Sequence, residues 1–201
     1  MIKLRNIKKI YKGKGTETMA LKDINLDIEK TEFVAIMGRS GCGKTTLLRI
    51  LAGLERPQRG TVEGISGKKP SYVFQENRLL PWLTAVENVA VAAAGENKHS
   101  EAESLLKRMG LAGSEHKYPK ELSGGMKKRV SIARALAAKG DFLILDEPFS
   151  GIDEDAWKRI SGLILEEYSD KLIILVTHVL EHSSPFNARI IRLDGPPLRI
   201  V

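Results

Sequence analysis

The stretch that decides the fold is Gly38-Arg39-Ser40-Gly41-Cys42-Gly43-Lys44-Thr45. It fits the pattern G-x-x-x-x-G-K-[ST] and lies between an apolar run typical of a buried strand, 33–37, and a helical pattern, 44–52. Glycines in such a turn let consecutive backbone N–H groups point at phosphate oxygens, and the helix N-terminus adds about half a positive charge. We therefore predict an ATP or GTP site, with Lys44 at the β- and γ-phosphates and Thr45 as a Mg²⁺ ligand.

The composition is that of one ordinary globular domain. The chain has 201 residues, of which 42% are hydrophobic, so fibrous and disordered classes are excluded. Its one cysteine, Cys42, excludes an internal disulfide and favours a reducing compartment. The longest aliphatic run, 172–176, is far shorter than the roughly 20 residues of a membrane span, so we expect a soluble chain. A net charge of +7 favours anionic partners, unless it reflects a solvated lysine-rich surface.

Strand-like and helical patterns alternate along the chain, which predicts an α/β fold with a parallel sheet. The predicted strands are 33–37, 71–74, 142–146 and 171–176, and the predicted helices are 44–52, 84–94, 100–110, 123–138 and 154–168. Thr84 with Glu87, and Ser100 with Glu103, match the capping-box pattern at two helix starts. The segment 77–138 breaks the alternation, and we interpret it as an inserted helical lobe.

Two carboxylates, Asp146 and Glu147, stand at the end of the apolar strand 142–146. Ligands of open α/β sheets lie at the carboxyl ends of the strands. There Asp146 can hold Mg²⁺ through a water, and Glu147 can accept a proton from the water that attacks a γ-phosphate. The alternative is a plain turn before Pro148, which the phosphate-binding stretch makes the weaker interpretation.

A second glycine-rich turn, Leu122-Ser123-Gly124-Gly125, comes before the helix predicted from about residue 123. Two glycines and a serine at a helix start expose N–H groups and a hydroxyl to an anion. Ser123 can equally serve as the N-cap of that helix, and the residues alone leave both interpretations open. The basic run that follows, 127–129, is interpreted as one exposed helix face.

These motifs occur in a characteristic order, together with Gln75 after a strand, Ser150-Gly151-Ile152-Asp153 after the acid pair, and His178 after the last predicted strand. Over nearly its whole length the chain resembles the nucleotide-binding (ATPase) subunit of an ABC transporter. The resemblance implies a P-loop NTPase with a RecA-like, F1-type core sheet and an inserted helical subdomain. A single ABC ATPase domain then spans 1–201, with the core at about 1–76 and 139–201 and the helical subdomain at about 77–138.

The resemblance also implies catalytic roles. Glu147 is expected to be the base, and His178 to hydrogen-bond the γ-phosphate and orient Glu147. Gln75 is expected to touch Mg²⁺ or the attacking water and to report nucleotide occupancy. The implied catalytic residues are Glu147, His178, Gln75 and Lys44, and the implied metal ligands are Thr45, Gln75 and Asp146.

In this family two subunits pair head to tail, so that each ATP lies between the phosphate-binding turn of one copy and the Ser-Gly-Gly turn of the other. Tyr11 is placed to stack on adenine, although core packing remains open for it, and Asp153 is placed to bridge the subunits. The implied ATP contacts are Tyr11, Gly38, Arg39, Ser40, Gly41, Cys42, Gly43, Lys44, Thr45, Thr46, Ser123, Gly124, Gly125 and Asp153. Cys42 is further predicted to carry a reactive thiol, because it lies at a helix N-terminus.

The sequence Leu79-Leu80-Pro81-Trp82-Leu83-Thr84 resembles importers of the nitrate, aliphatic sulfonate and taurine group. We therefore expect ATP and Mg²⁺, a pair of ATPase subunits, transmembrane permease subunits, and a periplasmic or extracellular solute-binding protein. The expected location is the cytoplasmic face of the cell membrane, and no nucleic acid is expected. Trp82 and Leu83 belong either to the surface that docks the permease or to the core of the helical lobe.

Three alternatives stay open. The same fold could serve an exporter or a lipoprotein-release system, against which the segment 79–84 is the discriminating feature. A soluble ABC ATPase associated with nucleic acid would use the positive charge. A nucleotide-gated module without turnover is disfavoured by Glu147, His178 and Gln75.

Overall fold

The structure is a computed structural model that describes residues 1–13 and 16–200. Its strands are β1 (Ile2–Lys12), β2 (Glu17–Ile28), β3 (Phe33–Met37), β4 (Arg59–Glu63), β5 (Pro70–Val73), β6 (Phe142–Asp146), β7 (Ile173–Val176), β8 (Arg189–Asp194) and β9 (Arg199–Ile200). Its α-helices are α1 (Lys44–Leu51), α2 (Ala85–Ala90), α3 (Lys98–Arg108), α4 (Gly124–Ala137) and α5 (Glu154–Tyr168). None of the helices in these ranges is long and apolar enough to cross a membrane.

The main sheet confirms the predicted α/β class. Its strand order is β5-β6-β7-β3-β8-β9, and the pairs from β5 to β8 are parallel. Every residue of β6 is buried, because helices and a second sheet cover both faces of this central strand. The carboxyl ends of β3, β5, β6 and β7 therefore meet at one edge, and the loops that follow these strands are brought together there.

A second, antiparallel sheet of order β2-β1-β4 was not predicted. Its apolar side chains, such as Ile2, Leu4 and Leu26, join one hydrophobic cluster with α1 and one face of the main sheet. Leu47 and Leu48 of α1 are fully buried in that cluster. The antiparallel sheet thus fixes α1, and with it the glycine-rich turn at the N-terminus of α1.

The helical lobe consists of α2, α3 and α4, and its apolar side chains form one cluster with the other face of the main sheet. Two predicted boundaries were wrong. The helix predicted over 84–94 ends at Ala90, because the chain turns at 91–92 before Gly95 with a φ of 99°. The helix predicted from Ser100 begins at Lys98 with Asn97 at its N-cap, so Ser100 lies inside its first turn and caps nothing. The capping box of Thr84 and Glu87 is confirmed.

Asn88 on α2 holds the segment that precedes this helix. Its side chain is fully buried, accepts a hydrogen bond from Leu80 N (2.7 Å), and donates to the carbonyl oxygens of Leu80, Leu83 and Thr84 at 2.9–3.1 Å. One amide thus satisfies backbone groups on both sides of Trp82. The conformation of the segment 79–84 depends on it.

We expect Asn88→Ala to lower the free energy of unfolding by about 2–3 kcal/mol, because it leaves buried backbone groups without partners. Urea denaturation measures the change. Asn97→Ala is the matched control, since the Asn97 side chain makes no capping hydrogen bond and is exposed. Equal losses for the two variants would contradict the role of Asn88.

Candidate functional site

A cleft of about 250 Å³ lies at the carboxyl edge of the main sheet, where the loops after β3, β5 and β6 meet. The residues that line it come from the turn before α1, from α1 itself, and from the ends of β5 and β6. They are Ser40, Gly41, Gly43, Lys44, Thr45, Thr46, Gln75, Asp146 and Glu147. The structure therefore brings together in this cleft half of the residues that the sequence predicted for a nucleotide site.

The glycine-rich turn needs glycine for two different reasons. Gly43 has a φ of 113°, and a Cβ there would lie 2.7 Å from Ala20 O. Gly38 has no such φ, but a Cβ on it would lie 2.6 Å from Leu193 O, so the backbone approaches β8 too closely for a side chain. The turn is thus held between β2 and β8 in a shape that larger residues cannot adopt.

Lys44 points back over this turn. Its ammonium donates to Gly38 O at 2.7 Å and to Arg39 O at 2.8 Å. The cation is consequently positioned at the mouth of the turn by neutral carbonyl groups. Phosphate oxygens are stronger partners for an ammonium, because both groups then carry charge.

Cys42 departs from the prediction of a reactive thiol. Its side chain is fully buried and belongs to the hydrophobic cluster that contains α1. A buried cysteine in apolar surroundings is inert, since reaction needs an accessible thiolate. The side chain faces the core, and the contribution of Cys42 to the turn is that of its backbone.

Thr45 and Asp146 form the candidate metal centre. Thr45 Oγ1 donates to Asp146 Oδ2 at 3.1 Å, and Gln75 lies on the same cleft. Hydroxyl, carboxylate and amide oxygens are hard donors, which suit Mg²⁺. Mg²⁺ sites usually combine one or two carboxylates with waters and substrate phosphates. The described residues contain no cluster of three or more histidine, cysteine, aspartate or glutamate side chains able to hold a metal.

Burial raises the pKa of Asp146, whose carboxylate is 2% exposed. The hydrogen bond from Thr45 acts in the opposite direction, while the charge of Glu147 adds to the increase and Lys44 and Lys128 reduce it. In the absence of a bound cation the ionised carboxylate is therefore costly for the fold. A divalent cation would relieve that cost.

Glu147 and His178 form a pair at the mouth of the cleft. Glu147 Oε2 lies 3.0 Å from His178 Nδ1, and the glutamate side chain is 15% exposed whereas the histidine is 68% exposed. Glu147 has a φ of 49°, a left-handed conformation that is uncommon for this residue type and is found at functional sites. The imidazole thus restrains a carboxylate that already has a fixed backbone, as an oriented base requires.

Tyr11 is found at the surface beside the cleft, so the core-packing alternative is wrong. Its ring is 38% exposed, and its hydroxyl contacts Glu55 Oε2 (2.8 Å) and Thr46 Oγ1 (3.2 Å). Lys9 Nζ lies 5.4 Å from the ring centroid. An exposed aromatic ring next to Thr46 is available to a base, and adenine stacking on it stays a prediction.

Asp153 and the Ser-Gly-Gly turn are placed at helix starts. Asp153 accepts from Ala156 N (2.9 Å) as the N-cap of α5, and Ser123 accepts from Met126 N (3.2 Å) as the N-cap of α4. The N-cap interpretation of Ser123 is therefore confirmed, while its binding to an anion stays a prediction. The bridging role of Asp153 also stays a prediction.

Gly124 and Gly125 line a second, wider cavity of about 680 Å³. Ser40 of the first glycine-rich turn lines the same cavity, as do Gln75, Glu147 and His178. The two glycine-rich turns of one chain are thus separated by open space, and the turn before α4 does not line the smaller cleft.

The basic run 127–129 does not form one exposed face. Lys128 is 5% exposed, and its ammonium donates to Gln75 O at 2.6 Å. The helical periodicity of α4 contained the signal, because Lys128 falls on the side that includes the buried Ser131 and Ala135.

Sequence reasoning also missed the support beneath His178. Thr177 is fully buried at the end of β7, and its hydroxyl accepts from Val179 N (3.1 Å) and contacts His182 Nδ1 (3.2 Å). The His182 ring lies edge-on to Phe149 at a centroid distance of 5.1 Å. This local network fixes the turn that carries His178.

Comparisons with known proteins agree with this geometry. The family model described as ABC transporter matches residues 21–150. The chain is 39% identical to the aliphatic sulfonates import ATP-binding protein SsuB of Bacillus licheniformis, over 94% of this chain and 78% of that protein. It is 37% identical to the taurine import ATP-binding protein TauB of Pseudomonas aeruginosa, over 95% and 78%. A solved dimeric ATP-binding cassette in a post-hydrolysis state with ADP and Pi superposes with a TM-score of 0.87 at 34% identity, covering 100% of this chain and 98% of that one.

We expect Asp146→Asn to raise the free energy of unfolding of the nucleotide-free protein at pH 7. Because the folded-state pKa lies above the ordinary value of 3.8, the wild-type protein loses stability as pH rises from that value through the raised one. The neutral amide removes this loss, so the gain disappears below pH 3.8. Thermal unfolding between pH 3 and pH 8 measures it, with the exposed Asp170→Asn as control. A variant less stable than wild type at pH 7 would contradict the assignment.

Proposed function

The chain belongs to the ABC transporter family of ATP-binding proteins, and from this premise we propose that it drives the uptake of a small oxyanion by hydrolysing ATP in a site shared by two copies. It is an ABC-type ATPase of the P-loop fold, with ATP as substrate and Mg²⁺ as metal. Its relatives include import subunits for aliphatic sulfonates and for taurine. The solutes in these two names share a sulfonate group.

The convergence of Lys44, Thr45, Asp146, Glu147 and His178 at one edge of the main sheet carries the proposal for hydrolysis. Lys44 exchanges its two carbonyl partners for phosphate oxygens, and the N–H groups of the turn bind the others. Thr45 and Asp146 would hold a Mg²⁺ ion, which would supply positive charge opposite the phosphates. Glu147 then accepts the proton of the attacking water, and His178 holds the carboxylate in place.

The second cavity supports a composite site. Because Gly124 and Gly125 lie across open space from the cleft, one chain alone leaves the γ-phosphate side of the cleft open to solvent. In a head-to-tail dimer the turn before α4 of one copy closes the cleft of the other, and its N–H groups and the Ser123 hydroxyl bind the γ-phosphate. ATP thus favours the closed dimer, and loss of the γ-phosphate opens it.

The surface around Trp82 is proposed as the contact with the permease. Trp82 is 68% exposed, so it does not belong to the core of the helical lobe. It stands on the segment that Asn88 fixes, a few residues after Gln75, which lines the cleft. A change at Gln75 can reach this surface along a short piece of chain. The chain then acts at the cytoplasmic face of the membrane, with permease subunits that receive the solute from a binding protein.

The replacement Glu147→Gln is expected to lower kcat for ATP hydrolysis by about 10²–10⁴-fold, the usual contribution of a general base. ATP affinity should remain, because Glu147 contacts the water and not the turn, and the ATP-bound dimer should accumulate. Phosphate release and light scattering measure the two effects. The exposed Glu181→Gln is the matched control. A variant with wild-type turnover would remove Glu147 from the proposed role.

Mixing two inactive variants tests whether the site is shared. Lys44→Ala removes the cation of the turn, and Ser123→Asp places a carboxylate where the γ-phosphate is proposed, while aspartate still caps α4. Each variant alone should be inactive, and a mixture should regain hydrolysis, because a mixed dimer has one intact site. The neutral cap Ser123→Asn should retain more activity than Ser123→Asp. A mixture as inactive as its components would argue against a composite site.

A further inference from the structure

Lys128 presents a buried cation to the loop that carries Gln75. It lies on α4 about one turn beyond Gly124, and its side chain is 5% exposed. Its ammonium donates to the carbonyl oxygens of Gln75 at 2.6 Å and of Phe74 at 3.4 Å. Hydrogen bonds from a charged donor are stronger than neutral ones, and burial removes the water that would compete for them.

Arg134 forms a second connection between α4 and the same loop. Its guanidinium donates to Asn77 O at 3.0 Å and to Arg78 O at 2.9 Å. The helix therefore holds the loop on both sides of Glu76 through main-chain carbonyls, whatever side chains the loop carries. The Arg78 guanidinium, 4.1 Å from the centroid of the Phe74 ring, adds a contact within the loop.

The backbone of Gln75 is held by a hydrogen bond from Lys128, whereas its side chain is not held in this way. It is exposed and lines both cavities, and within residues 1–13 and 16–200 it makes no side-chain hydrogen bond. The backbone at this position is thus fixed by Lys128, whereas the amide group is available to a ligand in the cleft. Such an arrangement presents an amide in a limited set of positions.

We propose that Lys128 is a positioning residue for ATP hydrolysis, which holds the backbone of Gln75 so that its amide reaches the metal and the attacking water. The inference rests on the proposed function, because it needs hydrolysis in this cleft. It adds that α4 contributes to two sites at once. The turn at the N-terminus of α4 faces a partner copy, and Lys128 sets the position of Gln75 in the cleft of the same chain. Movement of α4 relative to the main sheet then displaces Gln75 as well.

A double-mutant cycle tests this connection, because a residue that acts through Gln75 has nothing to act on when the amide is absent. Lys128→Met removes the donors and keeps an unbranched side chain. In the wild-type background it should lower kcat by about 10–100-fold with little change in KM for ATP, as misplacement of a catalytic group does. In the Gln75→Ala background it should lower kcat no further. Lys128→Gln, which keeps N–H donors, should recover most of the loss.

The control is Lys107→Met, the same substitution at an exposed position at the end of α3, and it should leave kcat unchanged. Three results would each overturn the inference. They are equal effects of Lys128→Met in both backgrounds, a fall in ATP affinity that matches the fall in kcat, and no recovery of kcat with Lys128→Gln. Running the cycle with Lys128→Leu as a second apolar replacement keeps the test valid if methionine prevents folding. Absence of hydrolysis in the wild-type chain would instead overturn the proposed function.

Discussion

Parallel pairing of β3, β5, β6 and β7 is the constraint on which the site depends. Asp146 pairs with Val176, and Val176 pairs with Ile36. The strands β6, β7 and β3 therefore end at one level, and they are followed by the acid pair, the loop of His178 and the glycine-rich turn, respectively. The bond from Glu147 N to Val176 O extends this register by one residue beyond β6. Side chains far apart in the sequence therefore meet at this edge, where Thr45 contacts Asp146 and Glu147 contacts His178. The apolar interior of the sheet supplies the stability that a cluster of charges at its edge requires.

The helical lobe shares a hydrophobic core with the main sheet, but its contacts with the cleft are polar. The cluster that contains α2, α3 and α4 continues into the main sheet, so the proposed helical subdomain is not an independently packed unit. Its connection to the cleft consists of the bonds from Lys128 and Arg134 to main-chain carbonyls. Apolar packing tolerates small sliding movements, whereas a short ionic hydrogen bond keeps its partners together. If Lys128 acts as proposed, a shift of α4 displaces Gln75 as well.

Sequence reasoning predicted the parts of the site that local patterns specify. The glycine-rich turn, the strand that ends at Asp146 and the helix over 154–168 follow from motifs and periodicity within a few residues, and the structure has all three. The antiparallel sheet was missed because it pairs β1 with β4, about 55 residues away, and alternation in one strand does not identify its partner. The burial of Lys128 was missed although the periodicity of α4 indicated it, whereas its partners in a distant loop could not be predicted. Cys42 was misjudged because the motif fixes the backbone of the turn and says nothing about where the side chain points.

In the isolated chain, the charged and polar groups of the cleft lack the partners that a nucleotide and its metal would supply. Burial raises the pKa of Asp146, Lys44 is bound to neutral carbonyls, and the Gln75 amide is unpaired in the described structure. Each group thus has a better partner available in a nucleotide with its metal than in the protein itself. Phosphate binding and metal binding are consequently favoured together, because a cation held by Asp146 would add positive charge beside the phosphates that Lys44 prefers. In the dimer that we propose, the γ-phosphate faces the wider cavity, and a second copy that covers it gains further free energy.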